Sequence, residues 1–460
     1  MIRRRRALLP TGAPLVLAFA IAPCDMVHFG LSQAHAADLA LKAPPAPAAP
    51  APYSWTGWYA GANAGYGVGQ GGGSFTSAAG AVQPFNANAA GAFGGAQFGY
   101  NYQLSGVPLV NILVVGAETD IQGAGIDDNR TCLLGCTPNS FATATSKLDW
   151  FGTTRVRAGL PTGPVLSYVT GGIAYGGIDT QAATAAGVAN SSTVRTGWTW
   201  GTGVEAALGG NWTAKAEYLY IDFGTTTATA PAVGTATLKN QEQLFRAGLN
   251  YRFGVAPQAL PRTRNFAGFF VGGTFGAGIG NNPTTVTEGQ GVETFNLSPR
   301  GIDGGAIGGY NWQFGSWVAG IEGDWQASTG TGYVTGLANG ATADQKLTWF
   351  STARGRFGYA AGEALFYGTA GGAWGGVQEN LTQGGAASSF SHTRSGLAVG
   401  AGIENRLDFF GLLSPNWATR TEYLFLDLGS VNDTFAAQTL HSTVQEHIWR
   451  TVISYKFGPT

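Results

Sequence analysis

Glu242-Gln-Leu-Phe-Arg-Ala-Gly-Leu-Asn-Tyr-Arg-Phe253 alternates with a period of two. In an extended chain neighbouring side chains point to opposite faces. Gln243, Phe245, Ala247, Leu249, Tyr251 and Phe253 therefore share one face, while Glu242, Leu244, Arg246, Gly248, Asn250 and Arg252 share the other. The first face suits lipid, with aromatic rings at both ends, and the second suits a polar interior. A tilted strand crosses a bilayer in about 9–11 residues, so the segment is long enough to span one.

The same sorting extends along the chain. Leu148, Trp150, Val156 and Leu160 oppose Asp149, Arg155 and Arg157, and further strands place Glu118 and Asp120, Glu205, and Lys215 and Glu217 on single faces. A cation aimed at mid-bilayer lipid costs about 2–4 kcal/mol, so these charges are expected to point inward. Interior charges must also be paired to offset their desolvation. Arg155, Arg157 and Arg246 are accordingly expected to meet Glu118, Glu205 and Glu217. Interior glycines such as Gly197, Gly201, Gly203 and Gly248 are expected to leave room for the long Arg and Glu chains.

The segment also belongs to a repeat. Phe245-Arg-Ala-Gly-Leu-Asn-Tyr-Arg-Phe-Gly254 returns as Trp449-Arg-Thr-Val-Ile-Ser-Tyr-Lys-Phe-Gly458. Asn211-Trp-Thr-Ala-Lys-Ala-Glu-Tyr-Leu-Tyr-Ile-Asp-Phe-Gly224 returns as Asn416-Trp-Ala-Thr-Arg-Thr-Glu-Tyr-Leu-Phe-Leu-Asp-Leu-Gly429. Tyr168 to Gly177 likewise matches Tyr367 to Gly376, so two copies of about 200 residues follow one another. The second copy carries Glu322, Asp324, Arg354, Arg356, Glu404, Arg420, Glu422, Arg450 and Lys456 where the first has its inward charges, each with its sign kept.

Copy one is expected to form strands near 55–69, 92–103, 110–123, 147–160, 165–178, 195–208, 211–224 and 242–254. Copy two is expected to repeat them from 265–280 to 446–458, with a longer last turn at Asp408 to Pro415. The gaps alternate between long polar segments and short turns such as Gly209-Gly210. Outer-membrane barrels show this asymmetry, with the short turns periplasmic. The fold class is therefore all-β, a transmembrane antiparallel barrel.

Two tandem eight-stranded barrels, at 53–254 and 265–460 with a linker at 255–264, are preferred to one fused 16-stranded barrel. Each copy has its own full set of opposed charges, and an eight-stranded barrel is only wide enough for side chains to fill. The ten-residue linker reaches about 33 Å, enough to tether two narrow barrels side by side.

Composition agrees. Of 460 residues 73 are Gly, aromatics make up 12% and charged residues only 11%, less than half the share usual in a soluble domain. Beyond residue 36 no run of 18 apolar residues occurs, so no transmembrane helix is expected, and the closed barrel is the remaining way to satisfy every backbone group in hydrocarbon.

Residues 1–36 read as a signal peptide, with Arg3 to Arg6, an apolar stretch from Leu15 to Ala22, and the small-x-small site Ala34-His35-Ala36. Residues 37–52 read as a Pro/Ala-rich periplasmic spacer. Removing 1–36 takes four Arg and one Asp from the 25 basic and 26 acidic residues, leaving 21 against 25 and no basic stripe for nucleic acid.

Little points to chemistry. Cys132 and Cys136 would be exported to an oxidising compartment and could close a small loop disulfide. Residues 37–391 contain no His. His392, His441 and His447 read as solvated rim residues near loops of copy two rather than as the base of an outer-membrane lipid hydrolase. Asp222 and Asp427 close their strands at the loop end and read as headgroup-rim residues, with a cation bridge to lipopolysaccharide phosphate as the alternative. No cofactor, metal site or catalytic set is expected. A porin-like channel is the alternative to a structural surface barrel.

The Trp55-Thr-Gly-Trp-Tyr-Ala-Gly start, the Pro/Ala spacer, the Glu-Tyr-Leu-Tyr-Ile-Asp-Phe-Gly strand and the Tyr-Arg-Phe end resemble the small outer-membrane β-barrel proteins of alphaproteobacteria, the Omp25/Omp31-like surface proteins. The resemblance covers nearly all of 37–460, twice. This chain departs from the pattern in having two copies and in ending Phe457-Gly-Pro-Thr460 beyond the usual terminal aromatic. The resemblance implies roles in envelope integrity and surface interactions, contact with outer-membrane lipids and lipopolysaccharide, insertion by the barrel-assembly machinery, and no catalytic residues.

Overall fold

The computed structural model describes residues 53–459 apart from 109, 129–130, 138–139, 336, 338–340, 384, 408–412 and 436–437. The signal peptide, the spacer up to residue 52 and most of the long turn expected at Asp408 to Pro415 lie outside the described residues.

The first copy forms β1 (Gly57–Gly69), β2 (Gly71–Ser77), β3 (Val82–Ala87), β4 (Ala90–Val107), β5 (Asn111–Asp127), β6 (Thr131–Thr137), β7 (Ser140–Thr162), β8 (Val165–Thr184), β9 (Gly187–Gly209), β10 (Trp212–Ala230) and β11 (Gly234–Phe253). Eight of these close a ring: β1, β4, β5, β7, β8, β9, β10 and β11 pair antiparallel in that order, and β11 returns to β1 from Trp58↔Phe253 to Gly69↔Glu242.

The second copy forms β12 (Gly268–Gly280), β13 (Asn282–Glu288), β14 (Gly291–Leu297), β15 (Arg300–Phe314), β16 (Trp317–Ser328), β17 (Thr331–Thr335), β18 (Thr342–Ala361), β19 (Ala364–Gln383), β20 (Ala386–Arg406), β21 (Trp417–Phe435) and β22 (Gln438–Lys456). Its ring runs β12, β15, β16, β18, β19, β20, β21, β22 and closes from Phe270↔Lys456 to Gly280↔Glu446. The chain thus builds two eight-stranded barrels, each closed on itself.

Aromatic residues mark where lipid begins and ends. Trp212 packs edge-on against Tyr251 with centroids 5.1 Å apart at the short-turn rim, and Trp198 packs against Tyr220 at 5.3 Å toward the other rim. Along β10 the chain from Trp212 to Tyr220 advances about 27 Å, or about 20 Å along the membrane normal at the usual tilt, so the two aromatic pairs fall near the edges of an apolar band about 25 Å tall.

The strands do not stop at that band. The long polar segments expected as loops continue as paired strand: β10 and β11 stay in register from Thr225↔Lys239 to Ala230↔Gly234, and β8 and β9 pair out to Thr184↔Gly187. The physical reason lies in Thr225 to Thr229 and similar stretches. Their β-branched residues favour extended chain, and alternate small residues give the projecting hairpins an apolar face of their own. Ala228, Ala236 and Leu238 pack there with Phe75, Phe85 and Leu133, a core outside the membrane that polar composition concealed.

The repeated Asp-x-Gly at the end of the shared strand motif makes a β-bulge. Asp222 Oδ1 accepts from the amide of Gly224 at 2.8 Å, and Asp427 Oδ1 from that of Gly429 at 2.9 Å. Both glycines sit at positive φ, 74° and 75°, and the register with the neighbouring strand shifts at both places. These aspartates stand at the level of the outer aromatic rim, Asp222 opposite Trp198, and their carboxylates close the turn there. Gly224→Val should therefore lower stability by about 1–2 kcal/mol, the cost of a left-handed non-glycine residue. Thr227→Val, at an exposed position in the regular part of the same strand, should be near neutral. Unfolding midpoints of the two variants in detergent check this.

Candidate functional site

The barrel interiors are the chemically distinctive part of the molecule. Arg155 lies at the centre of the first, with a guanidinium nitrogen 3.1 Å from Asp120, another 3.0 Å from Glu217, and a hydrogen bond to Glu118. Arg246 reaches Asp120 at 3.0 Å and donates to Glu217, Lys215 Nζ lies 2.8 Å from Glu118, and Arg157 lies 2.9 Å from Glu205. Four carboxylates meet four cations, all buried, so the cluster is neutral as a set. Desolvation of eight charges is tolerable only under such mutual compensation.

Local sequence explains the placement. Lys215 and Glu217 are two apart on β10, as are Arg155 and Arg157 on β7 and Glu118 and Asp120 on β5, so each strand delivers two charges to one side. Tyrosines complete the layer: Tyr59 donates to Glu118 at 2.9 Å and Tyr168 to Glu217 at 2.9 Å. Tyr168 pairs across the sheet with Gly203 and Tyr59 with Gly99. A Cβ added at Gly203 would stand 2.6 Å from the Tyr168 hydroxyl, and one at Gly99 would collide with that of Tyr59. Gly203 therefore makes room for a tyrosine rather than for Arg or Glu, and Gly201 likewise for Leu219.

The second barrel repeats the cluster. Arg354 meets Glu322 at 2.9 Å, Asp324 at 3.0 Å and Glu422 at 3.0 Å. Arg450 meets Asp324 at 3.0 Å and Glu422 at 2.6 Å, Arg420 meets Glu322 at 2.8 Å, and Arg356 meets Glu404 at 2.8 Å. Phe270 stands where the first copy has Tyr59, and Arg420 where it has Lys215. The lost hydroxyl is offset by a larger cation that lies over the new ring, 4.8 Å from its centroid.

Two expected interior charges do not join these clusters. Arg252 donates to the carbonyl of Ser54 at 2.6 Å and to Tyr53 Oη at 2.7 Å, and Lys456 donates to the carbonyl of Ala267 at 3.1 Å. Both tie the incoming or outgoing chain across the mouth at the short-turn rim. Cys132 and Cys136 are joined in a disulfide on β6, and Val292 of β14 pairs with Cys136.

Beyond the charged layer the interior changes character. On β10 the inward positions continue as Leu219, Ile221 and Phe223, and these pack with Phe93, Phe151 and Leu244 across the lumen. Leu424, Leu426, Leu428 and Phe350 do the same in the second barrel. The interior, expected to be polar, is thus two stacked layers, ionic toward the short-turn rim and apolar toward the projecting strands. A sparser set of buried carboxylates, Glu242, Asp303, Glu379 and Glu446, stands at this level. Glu242 and Glu446 share inward parity with Arg246 and Arg450, which was the signal for them. Glu379 accepts from Gln345 at 2.7 Å and from Ser442. Among the described residues no group of three or more His, Cys, Asp or Glu is placed to hold a metal ion.

His447 departs most from its expected rim position. It is 4% exposed, stacks on Tyr66 of the first barrel with centroids 5.1 Å apart, and is bonded through Nδ1 to Tyr423 Oη at 2.8 Å. Phe245, on the lipid-facing side of β11, is buried for the same reason: it packs on Tyr423 at 5.0 Å. The two barrels are therefore in direct contact. His392 and His441 do lie on the projecting strands, His392 Nε2 being 2.9 Å from Asp433.

The family described as outer membrane protein beta-barrel domain matches residues 36–253. The 31 kDa outer-membrane immunogenic protein of Brucella melitensis is 37% identical over 238 residues, 48% of this chain and 94% of that protein. The 25 kDa outer-membrane immunogenic protein of the same organism is 32% identical over 226 residues, 48% of this chain and 91% of that protein. Among solved structures, Neisserial surface protein A is 15% identical with a TM-score of 0.24, over 42% of this chain and 98% of that one. With a relative matched over nearly its whole length and the barrel built twice, the chain belongs to the outer-membrane β-barrel family of these immunogenic proteins and resides in the outer membrane.

Proposed function

We propose that the protein is a non-catalytic structural barrel that contributes to envelope integrity and presents its projecting strands at the cell surface. The observation that carries this reading is the filled interior: in each barrel a neutral ionic layer lies beneath an apolar one, and side chains from opposite walls meet in both. Such a barrel devotes its interior to stability, leaving the outer faces and the surface strands for interaction. Its lipid-facing girdles fit outer-membrane lipids and its exposed crown fits lipopolysaccharide and surface partners. Insertion by the barrel-assembly machinery is what membership of the family implies.

The competing porin-like reading requires a water-filled path. Full-length protein refolded into a planar bilayer is expected to give no stable single-channel conductance. Reproducible conductance steps would overturn the structural reading in favour of the channel, and turnover of phospholipid or lipid A by the folded protein would overturn its non-catalytic part.

A further inference from the structure

Below the projecting strands the barrels touch at two levels and part between them. Toward the periplasmic rim Val204 and Ala206 of β9 meet Ala364 and Ile403. Further outward Tyr66, Tyr218 and Phe245 meet Tyr423, His447 and Trp449. Between these contacts lies a cleft of about 990 Å³ bounded by outer faces of both barrels. It runs from the periplasmic aromatic girdle at Trp317 and Tyr359 to Tyr423 and Trp449, so it opens into the inner half of the bilayer.

The duplicated sequence supplies an internal control for the shape of this cleft. Its floor on the first barrel is a row of three alanines in register across β1, β11 and β10: Ala64↔Ala247↔Ala216. The equivalent row on the second barrel is Phe275↔Thr451↔Thr421, which lines no part of the cleft and exposes Phe275 to 65%. Bulk is absent from the copy that faces its neighbour and present in the copy that faces lipid.

The linker carries a cation. Gln258 bridges to Gly210 at the foot of β10, and the amide of Arg264 donates to the carbonyl of Gly362, between β18 and β19, at 2.9 Å. The segment between them crosses from one barrel to the other at the periplasmic ends of strands that line the cleft. It carries Arg262, which is exposed and makes no ion pair among the described residues.

We propose that the inter-barrel cleft is a binding site for one phospholipid of the periplasmic leaflet, with its acyl chains against the Ala64, Ala247, Ala216 row and its phosphate at Arg262. Within the membrane an apolar notch is filled by hydrocarbon, and a guanidinium at its headgroup end selects a phosphate ester. The lipid completes the interface that the two protein contacts leave open.

Native mass spectrometry of full-length protein extracted from the outer membrane in mild detergent, with lipid identification by fragmentation, tests this. Wild type is expected to retain one phospholipid per chain. Ala64→Phe with Ala247→Thr installs the residues the second copy already carries at these positions, so the barrel is expected to fold, and it should lower retention about tenfold or more. Arg262→Glu should lower it as well, whereas Ala158→Phe, on a lipid-facing position away from the cleft, should retain the lipid. Heat-modified gel mobility confirms that each variant is folded. Equal retention in wild type and the Ala64→Phe/Ala247→Thr variant, unchanged retention in Arg262→Glu, or recovery of lipid A in place of phospholipid would each overturn the proposal.

Discussion

Arg155→Leu is expected to lower the stability of the first barrel by about 3–5 kcal/mol, because removing one partner leaves its opposite charges buried and uncompensated. Among the described residues of that barrel no other contacts Glu118, Asp120 and Glu217 while also bonding Thr153, at 2.8 Å. After the substitution four carboxylates face three cations. The matching Arg354→Leu should act in the same way on the second barrel, and neither should disturb the other cluster. The measurement is the denaturant midpoint, or the temperature at which the folded form loses its altered gel mobility. Adding Glu217→Leu to Arg155→Leu restores a three-against-three count and is expected to recover part of the loss. If both single changes are silent, the charges do not hold the barrels together as described.

The period of two carried most of what could be read from the chain. Parity alone sent Glu118, Arg155, Glu205 and Glu217 to one side, and the barrel brings them within hydrogen-bond reach because closure leaves them nowhere else to go. Partners within that set were less legible. Arg157 and Glu205 are on strands that are not neighbours and meet only across the lumen, which requires knowing the ring, not the strand. Arg252 and Lys456 share the same parity but sit one layer lower, where the acceptors are carbonyls and the Tyr53 hydroxyl, so parity assigned the face correctly and not the partner.

The projecting strands and the inter-barrel contact were harder to see for different reasons. Loop composition and strand composition coincide when strands stand in water, so Thr225 to Thr229 gave no sign of ending or continuing. His447 has the parity of Trp449, a lipid-facing position, and a histidine there is unfavourable in hydrocarbon. That conflict was present in the sequence. Only the neighbouring barrel resolves it, by offering Tyr66 to stack on and placing the ring beside Tyr423.

Phe245→Arg is expected to separate the barrels while leaving each one folded. Phe245 points away from its own barrel's interior, so the substitution leaves the ionic layer intact, but it places a cation between Tyr423 and His447 in the apolar band. An arginine on the lipid face near mid-membrane costs about 2–4 kcal/mol, and at this position it also displaces the aromatic contact. Where the strands project, the copies are joined further by Asn88 and Asn296, each of which donates to the other's carbonyl, at 3.2 Å and 3.0 Å, and bonds of this kind contribute about 0.5–1.5 kcal/mol each, less than a buried aromatic cluster. A protease site introduced into the exposed part of the linker converts this into a measurement. After cleavage in mild detergent the wild-type halves should stay together on size exclusion, whereas the Phe245→Arg halves should elute apart, each still heat-modifiable. Wild-type halves that separate at once would show that the linker, and not the aromatic face, holds the two barrels side by side.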